Sequence, residues 1–398
     1  MTPSQIRAAV HPILRALRDV VFAPTYAVAS RILPLRPDSV ILVTVRNQEL
    51  TDNLLAIYDR LDRRRYSVRV FSFANRPRLA ISRFVPNVRF MIAMAQAQYT
   101  IVDDFFPLLY CARLRPGAKL VQVWHALGAF KKVGYSRLGR GGGPPATSIS
   151  HKNYTDVIVS ADSVRQDFAE AFGVPLNRVH ATGAPRSDLF FDLSAQEAIK
   201  DRLLEQVPQL RGRRVILFAP TFRGGQRQTA HYPANFLDLD RFGEALGPND
   251  LLVLKMHPFI KRRPVIPPAW RDRIIDLSWY PEFNHLLLVC DLLVTDYSSA
   301  IFDYSLLRRP ILFYVPDLDQ YAKARGFYYP FEDYTYGPVV RDLSSLLANL
   351  GTVEVDPERL DAFQARFLNR CDGQATTACL ATIFGPTAEP CRAVPRTP

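Results

Sequence analysis

Runs of aliphatic and β-branched residues recur along the chain, and the polar stretches between them are long enough for one helix each. Residues 39–45 (SVILVTV) form a continuous apolar run, the pattern of a strand covered on both faces in a parallel sheet. Helical spacing follows near 52–61, and a second strand is predicted at 68–73. The alternation continues through 99–102, 120–124, 157–160 and 179–183, which reads as successive β-α-β units. A polar helix over 195–206 interrupts it. A second series then starts at 215–219, with strands at 251–255, 292–295 and 311–314 and helices near 282–289, 300–307 and 343–350.

Two such series make an α/β protein of two Rossmann-like, doubly wound domains facing a central cleft, the GT-B arrangement. At 398 residues the chain has room for two cores, and 48% hydrophobic with 22% charged residues is ordinary globular composition. The expected division is an N-terminal segment 1–35, a first domain 36–193, a second 194–375 and a tail 376–398. In the N-terminal segment Ile6, Val10, Ile13, Leu14, Leu17 and Val21 recur at helical spacing, with Arg7, Arg15 and Arg18 mostly on other faces. A basic amphipathic helix of this kind either lies on an anionic membrane surface or packs on its own domain. The tail, GPTAEPCRAVPRTP, is Pro-rich and expected to be disordered towards its end.

No apolar run reaches the roughly 18 residues that span a bilayer, so a peripheral or soluble protein is expected. The five cysteines form neither a CxxC pair nor a Cys/His cluster, which points to a reducing compartment and to no metal centre or cofactor. Two Asp-x-Asp pairs, Asp238 with Asp240 and Asp317 with Asp319, could hold a divalent ion loosely on a diphosphate or be ordinary loop acids. The formal net charge of +12 implies an anionic partner. Nucleic acid is not expected, because no helix-turn-helix, RNP-type strand or zinc module is present. Lys131, Lys132, Arg137, Arg140 and the run Lys261, Arg262, Arg263 could instead meet a polyanionic acceptor or lipid headgroups.

In parallel sheets ligands sit beyond the carboxyl ends of the strands, so the polar residues that follow each apolar run are the candidates. His125 follows KLVQVW, His257 follows LLVLKM, Thr221 and Arg223 follow VILF, and Asp296, Ser298 and Ser299 follow DLLVT. Histidine is the natural base near neutral pH, and hydroxyls at a helix start suit phosphate. Asp303 lies one helical turn beyond Ser299, placed for a ribose hydroxyl or for orienting a base. Each has a plainer reading, with Ser298 as a helix cap, Asp296 as a turn former and the histidines as hydrogen-bonded structural residues.

The segments QVWHALGAFKKVGYS, GAPRSD, FAPTFR, KMHPF, VTDYSSAIFDYSLLRRPILFY and Tyr321 with RGFYY resemble, in order, the CDP-glycerol glycerophosphotransferase family of teichoic-acid polymer enzymes. The resemblance covers about residues 95–345. It implies a GT-B enzyme that transfers a polyol phosphate, glycerol phosphate first, from a CDP-activated donor to a hydroxyl of a lipid-linked cell-envelope acceptor. CMP is released, and the work is done at the cytoplasmic face of a bacterial plasma membrane. It further implies catalytic roles for His125 and His257, and contacts to the substrate from Arg223, Thr221, Ser298, Ser299, Asp303, Asp296 and Lys132. The sequence departs from the family where Ala126-Leu127-Gly128 stands for the usual Gly-Thr-Pro, and where Tyr336 precedes Gly337-Pro338 in place of a proline. A GT-B glycosyltransferase using a nucleotide sugar is the alternative, and a non-catalytic membrane-binding scaffold the other.

Overall fold

The computed structural model describes residues 18–74, 84–140, 143–145, 148–224 and 229–385. Most of the expected N-terminal amphipathic helix and the Pro-rich end of the tail lie outside these residues. Arg18–Phe22 is a short helical turn that runs into a helix over Ala23–Ile32.

Among the described residues twelve strands form two six-stranded sheets in which every strand pairing is parallel. The first sheet comprises β1 (Arg36–Thr44), β2 (Ser67–Ser72), β3 (Ala97–Val102), β4 (Lys119–Gln122), β5 (Asp156–Val159) and β6 (Val179–Ala181), in the order 2-1-3-4-5-6. The second comprises β7 (Arg214–Phe218), β8 (Asp250–Leu254), β9 (Ile274–Asp276), β10 (Leu292–Thr295), β11 (Ile311–Tyr314) and β12 (Val339–Val340), in the order 9-8-7-10-11-12. The order reverses between β1 and β3 in one sheet and between β7 and β10 in the other, so each lobe opens a crevice at its strand carboxyl ends. Strands β5, β8, β10 and β11 are buried at every position, which is why their sequences read as unbroken apolar runs rather than alternations.

The lobes share a core. The loop after β4 enters the second lobe, where the Phe130 ring stacks on Phe327 at 5.1 Å, and Phe302 stacks on Phe363 at 5.3 Å. Gly128 adopts a left-handed φ of +59°, and a Cβ there would lie 2.3 Å from the Phe302 ring, so only glycine lets this loop pass. Beyond the second sheet the chain turns back. A helix at Pro357–Phe367, capped by the Asp356 carboxylate on the Arg359 amide (3.1 Å), leads to a helix at Ala375–Phe384 that packs on the first sheet. There Cys379, Leu380, Ile383 and Phe384 join Val40, Leu42, Tyr99 and Ile101 in one apolar cluster. Residues 375–384 thus belong physically to the first lobe, although sequence position assigned all but one of them to the tail.

Candidate active site between the lobes

The backbone around His125 is held under strain. Trp124 carries a positive φ of +43°, uncommon for a bulky residue, and three side chains enforce it. Asn53 Nδ2 donates to the Val123 and Trp124 carbonyls (3.1 and 2.5 Å), while buried Gln122 accepts from the Trp124 amide (2.8 Å). Arg186 donates from Nη1 to the His125 carbonyl (2.5 Å), and its amide donates to Asn53 Oδ1 (2.9 Å). The imidazole is therefore aimed by a network rather than by the strand alone.

His125 is neutral. Burial, reinforced by the Arg46 guanidinium and opposed by Asp104, pushes its pKa down to about 3. Arg46 Nη2 lies 3.1 Å from Nε2, and a guanidinium can only donate, so Nε2 holds a lone pair. The proton then sits on Nδ1, facing the Asp103 carbonyl at 3.3 Å and the Asp104 carboxylate at 3.7 Å. Asp104 also pairs with Arg46. Burial raises its pKa, but its pairing with the His125 ring and with the Arg46 guanidinium outweighs that and holds the carboxyl below the usual range.

His257 follows β8 from the opposite lobe. Its ring lies 4.6 Å from Phe222 and 4.7 Å from Phe259, and Nδ1 accepts the Phe259 amide at 3.1 Å. Burial, then the charges of Lys131, Arg46 and Arg325, push its pKa down to about 3. With Nδ1 occupied as an acceptor, the neutral ring carries its proton on Nε2 and presents a donor. The Arg46 charge lowers the pKa of both rings, one from each lobe.

The remaining expected residues divide. Ser298 and Ser299 are half-buried at the start of the short helix Ala300–Ser305, where Ser298 Oγ accepts from the Ala300 amide (3.3 Å). Lys132 lines a basic pocket that also includes Lys131 and Arg325, two of the cations that bear on His257. Arg223, expected to contact the substrate, is engaged by groups of the protein itself. It grips Asp317 through two bonds (2.7 and 2.8 Å), Asp296 (2.8 Å) and the Thr221 carbonyl (2.6 Å), and is itself buried. Asp296 is fully buried and accepts the Thr221 and Tyr297 amides (2.7 and 2.6 Å), so Asp296 and Thr221 brace the loops rather than line the cleft. Asp303 is buried as well, 2.6 Å from Arg186 Nη2. Burial, against the pull of Arg186, raises its pKa to about 6. It reaches His125 only through Arg186.

Arg46, Asn53, Asp104 and Arg186 were not singled out from sequence. Arg46 and Asp104 lie two residues past β1 and β3, where the same strand-end rule that selects His125 would have found them. Neither Asp-x-Asp pair converges on a common point. Asp317 is taken by Arg223, Asp319 lies 3.6 Å from Arg341, and Asp238 caps a helix through the Asp240 and Arg241 amides. Among the described residues no group of three or more His, Cys, Asp or Glu could hold a metal ion.

Residues 25–385 match the family CDP-glycerol:poly(glycerophosphate) glycerophosphotransferase. The chain belongs to this family. Relatives within it include the teichoic acid poly(ribitol-phosphate) polymerase of Bacillus spizizenii, 37% identical over 94% of this chain and 61% of the relative. The ribitol-phosphate polymerase TarK of Staphylococcus aureus is 35% identical over 92% of this chain and 72% of its own length. The glycerol-phosphate primase of Bacillus subtilis is 28% identical over 83% and 88%. The chain thus spans about three-fifths of the length of the B. spizizenii polymerase. In three dimensions it superposes on the wall teichoic acid polymerase TagF with a TM-score of 0.72, covering 96% of this chain and 97% of that one at 21% identity. The glycerophosphotransferase family member has the GT-B fold.

Proposed function

We propose that the protein transfers a polyol phosphate from a CDP-activated polyol to a hydroxyl of a cell-envelope polymer acceptor and releases CMP. The observation that carries this is the pair of neutral imidazoles, one from each lobe, with opposite roles at Nε2: a lone pair on His125 and a proton on His257. Arg46 is half-exposed and free to swing from Nε2 towards a phosphate, which opens His125 to the acceptor hydroxyl. The hydroxyl oxygen attacks the polyol-bearing phosphorus as its proton passes to His125 Nε2. The bond from that phosphorus to the CMP oxygen breaks, and His257 Nε2–H and the Ser298–Ser299 turn donate to the phosphoryl and leaving-group oxygens. Asp104 steadies the imidazolium that forms.

Identity to the two ribitol-phosphate polymerases, 37% and 35%, exceeds the 28% to the glycerol-phosphate primase, which favours ribitol phosphate over the glycerol phosphate first expected. Incubation with CDP-ribitol, CDP-glycerol and UDP-sugars, with an acceptor and a readout of released nucleotide, tests the reading. CMP release that falls about 10²–10⁴-fold in His125→Ala supports it. UDP release would instead select the nucleotide-sugar alternative, and polymer formation that survived His125→Ala would defeat the base assignment.

No helix among the described residues is long and apolar enough to cross a membrane. A peripheral attachment is supported by a patch on the helices Ala23–Ile32 and Phe84–Gln96, where Val28, Ile32 and Val85 are exposed beside Arg31 and Arg89. Val28→Glu with Ile32→Glu should shift the protein from anionic liposome pellets to the supernatant, and unchanged sedimentation rejects this patch as the anchor.

A further inference from the structure

A pocket of about 500 Å³ opens beside Phe105, the neighbour of Asp104, and its charge is one-sided. Lys131, Lys132, Arg137 and Arg325 line it together with Phe105, Ser150 and His151. No carboxylate is among the described residues that line it. Three acids that act on the lining residues are held by other groups, Asp296 by Arg223, Asp104 by Arg46 and Asp167 by the Tyr329 hydroxyl. Gathering cations without acids is electrostatically unfavourable. Burial, then the charge of Arg325, lowers the Lys131 pKa to about 8, and the same two influences lower that of Arg137. An anion in the pocket would relieve this.

The walls are fixed before any ligand arrives. The Lys132 amide donates to the Gly326 carbonyl (3.0 Å), the Tyr328 amide to the Phe130 carbonyl (3.0 Å), and Tyr328 Oη to Ser136 (3.2 Å). Arg140 lies over Gly326, so close that a Cβ there would be 2.9 Å from its guanidinium. A fifth cation thus borders the site.

Its position identifies the ligand. The donor side of the cleft, His257 and Ser298–Ser299, belongs to the second lobe. Three of the four lining cations belong to the first, as does Phe105, which directly follows Asp104. That is the lobe carrying the base, where the acceptor hydroxyl must arrive. We propose that the pocket is a phosphodiester subsite: it seats an interior phosphate of the acceptor chain while the terminal hydroxyl of that chain reaches His125. This rests on the polyol-phosphate transfer proposed above, and it makes an acceptor that already carries polyol phosphates the better substrate.

The test uses Arg137→Gln and Arg137→Lys in the full chain. One measurement is binding of a fluorescent poly(ribitol phosphate) oligomer at low salt, with and without CDP. The other is the KM for acceptors bearing one or several polyol phosphates, with the KM for the CDP-polyol taken in parallel. The subsite predicts that Arg137→Gln weakens oligomer binding about tenfold and raises the KM of the long acceptor by a similar factor. Donor KM and melting temperature should hold, and Arg137→Lys should recover most of the loss. CDP should not displace the oligomer. An oligomer that binds Arg137→Gln as tightly as wild type overturns the proposal, and so does displacement by CDP or a rise confined to the donor KM, which would mark the pocket as a donor site. Absence of CMP release with tight, Arg137-dependent oligomer binding would count against the transferase reading and leave the subsite standing.

Discussion

Asp104→Asn isolates the contribution of the carboxylate behind the base. In the resting site Asp104 faces a neutral imidazole and adds little, but once His125 takes the acceptor proton, a full positive charge stands 3.7 Å from Asp104 Oδ1. At an effective dielectric of about 20, two unit charges at that distance attract by about 4 kcal/mol. The side chains are 26% and 15% exposed, so solvent screens part of this, and in the transition state the proton is only partly transferred. Halving the attraction leaves about 2 kcal/mol, or roughly 30-fold in kcat. The asparagine keeps the shape and can still accept from Arg46, so folding should be unaffected. Steady-state CMP release should therefore show kcat down roughly 30-fold with little change in either KM, and an unchanged melting curve. A kcat within about threefold of wild type would refute the assignment of His125 as proton acceptor with Asp104 as its support.

Arg223→Lys retains the charge but not the fork that spans Asp296 and Asp317, and should lower unfolding stability by about 1–3 kcal/mol in urea titrations. Full stability with a raised donor KM would restore Arg223 as a phosphate ligand. Acid should destabilise the fold, because His125 and His257 are held near 3 and His151 near 4, whereas free histidine titrates near 6.5. Between those values the unfolded chain binds protons the native one excludes, so stability falls as pH drops through that window; a melting temperature flat from pH 7 to 5 would contradict the burial argument. Glu282 behaves oppositely. Burial and then Asp52 raise its pKa to about 7, so its destabilising charge develops as pH rises through 7, and Glu282→Gln should raise the melting temperature at pH 8 but not at pH 5. Gly128→Ala forces a Cβ into the Phe302 ring at a left-handed φ and should cost about 2 kcal/mol, read by thermal unfolding.

Strand positions were legible because both faces of these sheets are covered, so hydrophobicity alone marks them; β10 and β11 were located to the residue. The two strands that escaped notice are short. Ile274–Asp276 has three residues, preceded by the charged run Arg271-Asp272-Arg273, and Val339–Val340 has two, too few for a period to register. The helix Phe84–Gln96 carries Pro86, which looks like a breaker but sits in the first turn, where its missing N–H is harmless. At the site, the strand-end rule finds both histidines. It says nothing of the ion pairs that hold Arg223 and Asp303, since polar residues at strand ends divide into those open to the cleft and those that hold the loops. That division depends on partners far along the chain, with Asp317 lying 94 residues from Arg223 and Arg186 lying 117 from Asp303. A local pattern carries no record of such pairings.

The helix at Ala375–Phe384 has a consequence for how the protein is made. Phe384 meets Tyr66 at 4.8 Å and Tyr99 at 4.5 Å, so the cover of this face of the first sheet is not complete until residue 384 has left the ribosome. Loop closure on that scale is slow, and meanwhile the apolar cluster around Val40, Leu42 and Ile101 has only Leu54, Ile57 and Leu61 to cover it and stays partly open to water or to a chaperone. Any fragment cut between the lobes would inherit that uncovered surface permanently, and would be expected to aggregate where the intact chain stays dispersed.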